Sequence, residues 1–76
     1  MITADQLLQI ALRGDGDEWE RLQELCADRP TAERLARALE QSASLQSETA
    51  KSWAVVLEEM HDGLKVNLPV APPTAG

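Results

Sequence analysis

At 76 residues the chain has the length of one domain, too short to build a core without leaving much of its surface wet. Its 13 acidic residues against 7 basic ones give a net charge of −6, and no two basic residues are adjacent, which argues against direct binding of nucleic-acid phosphates. Two Trp with no Phe or Tyr also leave out the stacking platforms that single-stranded nucleic acid requires.

The first predicted helix spans about residues 4–13. Thr3-Ala4-Asp5-Gln6 fits a capping box, with Thr3 as N-cap and Gln6 reaching back to its N–H. Leu7, Leu8, Ala11 and Leu12 then share one side, and Gly14 suits the left-handed position that ends a helix. Asp15-Gly16-Asp17 resembles the opening of a calcium loop, but Trp19 and Arg21 stand where further oxygen ligands belong. Asp15 or Asp17 is therefore read as the cap of a second helix, over about 17–28, with Trp19, Leu22, Leu25 and Cys26 on its apolar face. Arg29-Pro30 stops it, because the residue before Pro is pushed out of the helical region.

From Thr31 to His61 the sequence contains no Gly and no Pro, and Leu35, Leu39, Trp53, Val56 and Met60 return at helical spacing. Thr31 as a cap, or Pro30 in the first turn, begins this third helix. The polar run through Gln41, Ser42, Ser44, Ser47 and Thr49 leaves two readings: one continuous helix with a small polar waist, or a break near 44–47 with Ser44 or Ser47 as a new N-cap. The continuous helix over 31–61 is the expectation, since Ser costs only tenths of a kcal/mol inside a helix. It would be roughly 45 Å long and would need something beyond the two short helices to lie against.

Asp62-Gly63 ends the helix, and the period changes to two: Leu64, Val66, Leu68 and Val70 alternate with Lys65, Asn67, Pro69 and Ala71. No other stretch offers such a segment a partner strand. It is expected to lie over the helices, to cross to a second subunit, or to dock on another protein. The domain organisation is thus a helical unit over 1–63 and an extended arm with a Pro-rich tail over 64–76.

Chemistry-bearing motifs are few. Glu58-Glu59-Met60-His61 contains Glu-x-x-His, the spacing used in di-iron bundles, yet His61 in a last helical turn complements the helix C-terminus without metal. Cys26 lies on an apolar face with no His near it in sequence, and reads as core. No Gly-rich phosphate loop and no Ser/His/Asp set on a plausible scaffold is present, so neither an enzyme nor a cofactor is expected. The single Cys, the lack of a signal-like segment after Met1 and the lack of an apolar run of ~20 residues lead to the expectation of a cytoplasmic protein outside the membrane.

Two short stretches resemble known families. Ser44-Leu45 followed by Val56-Leu57-Glu58-Glu59 is similar to the Asp-Ser-Leu motif and following helix of acyl carrier proteins, with Ala43 in the Asp position and the Leu-Glu-Glu one turn late. Thr31 to Leu39 is similar to the first helix of helix-turn-helix repressors, without the Gly expected near Glu40. Neither covers enough of the chain to transfer a function.

The sequence therefore predicts an all-α protein: two short N-terminal helices packed on one long helix, with an apolar C-terminal arm. Its expected role is to bind another protein as a non-enzymatic regulator, adaptor or inhibitor. The alternative is an acidic mimic of nucleic acid that occupies its target's binding surface. If the short helices cover only one side of the long one, Leu39, Trp53, Val56 and Met60 are left for a homodimer or partner interface, with Leu64, Val66 and Leu68 of the arm joining them.

Overall fold

The computed structural model describes residues 2–13 and 15–70, and these form four α-helices and no strand. They are α1 (Ala4–Arg13), α2 (Gly16–Cys26), α3 (Arg29–Ser42) and α4 (Glu48–Met60). The Gly14 stop and the Pro-rich tail of 71–76 fall outside the described residues. None of the helices is long and apolar enough to cross a membrane.

Each start has a local cause. Thr3 and Gln6 form the reciprocal capping box, with Thr3 N–H donating to Gln6 Oε1 at 2.9 Å and Gln6 N–H to Thr3 Oγ1 at 3.2 Å. Asp15 caps α2, its carboxylate accepting from Asp17 N–H at 3.2 Å. α2 ends at Cys26, shorter than predicted, because Asp28 turns away to cap α3 and accepts from both Thr31 N–H and Thr31 Oγ1. Pro30 sits in the first turn of α3, where its missing donor costs nothing.

The predicted continuous helix over 31–61 is broken. α3 stops at Ser42, Ala43 is extended, and Ser47 caps α4 by accepting from Ala50 N–H at 3.2 Å. Three bonds hold the connecting loop: Gln46 N–H to Ser44 Oγ, Ser47 N–H to the Ser44 carbonyl, and Leu45 N–H to the Pro69 carbonyl. Folding back lets α4 bury its apolar face on the same chain. The longest dimension of the molecule is 35 Å, shorter than the single helix would have been.

α1 and α3 each pack against the other three helices, whereas α2 and α4 do not pack closely against each other. The core is built from Leu7 and Ala11 of α1, Leu22 and Cys26 of α2, Leu35 and Leu39 of α3, and Trp53 and Leu57 of α4, with small Ala32, Ala36, Ala50 and Ala54 allowing close approach.

After α4 the chain reverses in a turn closed by Leu64 N–H to the His61 carbonyl, with Gly63 at φ +87°, a conformation that favours Gly. The extended segment then lies on its own helices. Leu64 and Val66 are buried in the core and Leu68 is half-buried, while Val70 is exposed. In place of a partner strand, two carboxylates take its amides: Val66 N–H donates to Glu58 Oε2 at 3.0 Å and Asn67 N–H to Glu40 Oε2 at 2.8 Å.

Candidate functional site

The seven residues predicted for an interface separate once the chain is folded. Leu39, Trp53, Leu64 and Val66 are buried within one chain, Val56 and Leu68 are half-buried, and Met60 is exposed. The apolar surplus behind the expected dimer, Leu39 and Trp53 above all, is taken up by the fold-back of α4. After Pro30 in its first turn, the exposed residues of α3 are polar: Arg34, Arg37, Gln41 and Ser42. The large apolar side chains left outside are Leu12 on α1, Leu45 in the α3–α4 loop, Val70 at the end of the extended segment, and two on α4, Val55 at 56 % exposed and Met60 at 36 %.

Next to that face is a cleft of about 90 Å³ between α2 and α4, lined by Trp19 and Gln23 on one side and Ser52, Trp53 and Val56 on the other. Spacing explains the lining: Trp19 and Gln23 are one turn apart on α2, as are Ser52 and Val56 on α4. The two indoles meet edge to face, centroids 5.8 Å apart and planes at 82°, which bridges the two loosely packed helices.

The indoles differ in how their N–H groups are used. Trp19 Nε1 donates to the Ile10 carbonyl at 3.2 Å and ties α2 to α1. Trp53 is only 2 % exposed, and its Nε1 is buried with no hydrogen-bond partner among the described residues. A buried donor left unpaired costs about 1–3 kcal/mol, so such a group needs an explanation.

A larger depression, about 430 Å³, lies along α1 between Ile2, Gln6, Gln9, Ile10 and Arg13. Its walls come from one helix and the residues before it, and no buried unpaired polar group lines it. Volume alone therefore does not make it the better site.

The other sequence candidates have structural tasks. His61 Nε2 donates to the Cys26 carbonyl at 2.7 Å, and Glu58 holds the Val66 amide, so the Glu-x-x-His pair is divided between two contacts. Among the described residues no three His, Cys, Asp or Glu side chains converge as a metal site would require. Burial pushes the Cys26 thiol up to about 11, which keeps it protonated near neutral pH.

Sequence reasoning placed Trp19 in the core and passed over Gln23 and Ser52. The available signal is that Gln23 falls one turn after Trp19 and that Ser52 stands next to Trp53. No protein-family model matches the chain, and no curated protein or solved structure matches it either.

Proposed function

We propose that the protein is a binding module for another protein, acting as a regulator, adaptor or inhibitor without chemistry of its own, and that it makes contact through α4. The observation carrying this reading is that Val55 and Met60 stay exposed, with half-buried Val56 between them, after α4 has buried Trp53 and Leu57. Exposed apolar side chains beside a cleft are what a partner's anchor needs. A double substitution, Val55→Lys with Met60→Lys, tests it. Immobilised wild-type protein captures its partner from a lysate of the source cells, the double variant loses it, and Arg34→Glu on the polar face of α3 retains it. Equal capture by all three overturns the reading.

A second reading, an acidic mimic of nucleic acid, draws support from Asp17, Glu20 and Glu24, which are exposed and spaced three and four apart along α2. It requires target binding that falls steeply with salt and is competed by duplex DNA or RNA.

A further inference from the structure

The extended segment after Gly63 lies in a groove between two helices. Successive amides of an extended chain point to opposite sides, and those of Val66 and Asn67 donate to carboxylates on different helices, Glu58 of α4 and Glu40 of α3. The segment is therefore held from both walls. Further along, the Pro69 carbonyl accepts from Leu45 N–H of the α3–α4 loop at 2.9 Å. Leu64 and Val66, two apart, are buried, and Leu68, two further on, is half-buried. Alternate apolar anchors with main-chain hydrogen bonds are the means by which a groove takes up an extended peptide from another chain. Here the peptide is the protein's own.

The bonds to Glu58, Glu40 and Leu45 join the segment to residues at least 8 positions away, and each is open to the same segment arriving from a second copy. What the covalent tether adds is only a turn. One backbone bond, Leu64 N–H to the His61 carbonyl at 3.2 Å, closes that turn around Gly63 at φ +87°, with Arg29 Nη1 bonded to the Asp62 carbonyl beside it.

We propose that two copies of this chain exchange their C-terminal segments, each laying Leu64 to Val70 into the α3–α4 groove of the other, with Asp62-Gly63 as the hinge. A second copy is the occupant that fits the groove, because it brings the same anchors at the same spacing. Opening the turn gives up its closing bond, whereas the buried anchors and the Glu40 and Glu58 bonds are made again across the dimer. Seven extended residues reach ~23 Å, comparable with the two shorter dimensions of the molecule, 26 and 22 Å, so the segment spans from one body to the next. The exchange does not require the α4 contact surface.

Analytical ultracentrifugation of the full chain at micromolar and millimolar concentration, after warming to just below the melting midpoint and cooling, reads the dimer. Filtered nuclear Overhauser effects in a dimer formed from isotope-labelled and unlabelled chains then show which copy each segment touches. Exchange places the Val66 and Asn67 amides of one copy beside the Glu58 and Glu40 side chains of the other. Gly63→Ala shifts the balance: a side chain at φ +87° disfavours the closed turn about tenfold, two turns open per dimer, and dimerisation tightens about a hundredfold. The added methyl meets nothing nearer than Arg29 Nη2 at 3.9 Å, so the strain is confined to the turn. Inserting Gly-Ser-Gly between the exposed Asp62 and Gly63 relaxes the closed turn and weakens dimerisation at least about tenfold. The wild-type contacts and the insertion decide the matter even where Gly63→Ala does not fold. Wild type and Gly63→Ala both monomeric at millimolar concentration, a dimer that neither hinge variant shifts, or a dimer whose segments stay in their own grooves overturns the proposal. Displacement of the segment by a partner's chain, with the protein alone monomeric throughout, overturns it as well and gives the groove to the partner.

Discussion

His61 and Cys26, 35 positions apart, are joined by a 2.7 Å hydrogen bond from the His61 Nε2–H to the Cys26 carbonyl, which ties the end of α4 to the end of α2. A carbonyl only accepts, so Nε2 must carry the proton, as it does in one neutral tautomer and in the imidazolium. Arg29 adds a second tie at the same place, its Nη1 donating to the Asp62 carbonyl at 3.1 Å. His61→Ala should cost about 1 kcal/mol and lower the melting temperature by about 4–8 °C, read by circular dichroism. An unchanged melting temperature would mean that the α2–α4 tie has no energetic weight.

The raised Cys26 pKa gives a pH dependence of definite sign. The unfolded thiol ionises near pH 9 and the folded one near 11, so between these values the unfolded state has released a proton that the folded state keeps. Stability is therefore unaffected by this group below about pH 8 and falls above it, by at most about 1.4 kcal/mol per pH unit. Melting at pH 8 and pH 10 should show a steeper loss for wild type than for Cys26→Ala. Equal losses would contradict the assignment, as would rapid alkylation of Cys26 in the native protein.

The loop between α3 and α4 depends on its cap. Ser47→Ala removes the acceptor for Ala50 N–H and should cost about 1 kcal/mol, while Ser42→Ala, at an exposed position, should change stability by less than about half of that. Chemical denaturation of the two variants compares them directly. A larger effect at Ser42 would contradict the placement of the break.

The segment after Gly63 behaves as part of the core. Leu64→Ala should cost about 2 kcal/mol, at the low end for a buried leucine because the segment lies at the molecular edge. Truncation after Gly63 should cost more, since it also leaves the Glu40 and Glu58 carboxylates without the Asn67 and Val66 amides. A truncated protein with an unchanged melting temperature would contradict this.

What could be read from the sequence was local. The Thr3–Gln6 box, the Asp15 cap and the period change at Gly63 each need only a few neighbouring residues, and each is present in the fold. Of the two readings the sequence allows, a break near 44–47 is the one found, at 43–47, although the intrinsic cost of Ser in a helix is small enough to favour continuity. What decides it is tertiary: the burial of Trp53 and Leu57 against their own chain, and the Leu45 bond to Pro69, 24 positions away. Periodicity puts Asp28 at the end of the second helix, whereas its carboxylate begins the next one, a signal present in Asp28-x-x-Thr31. The cleft was not legible, since it exists only where α2 and α4 fail to pack, and no periodicity encodes a gap.

The central claim is that contact runs through α4 and the cleft beside it. Amide chemical-shift mapping of the isotope-labelled protein, titrated with the partner captured through it, tests it most directly. The account predicts shifts confined to Val55, Val56, Met60 and their neighbours on α4, with the adjoining cleft residues Trp19, Gln23 and Ser52. Shifts centred on Gln6, Gln9 and Arg13 of α1, with Val55 and Met60 unmoved, would contradict it.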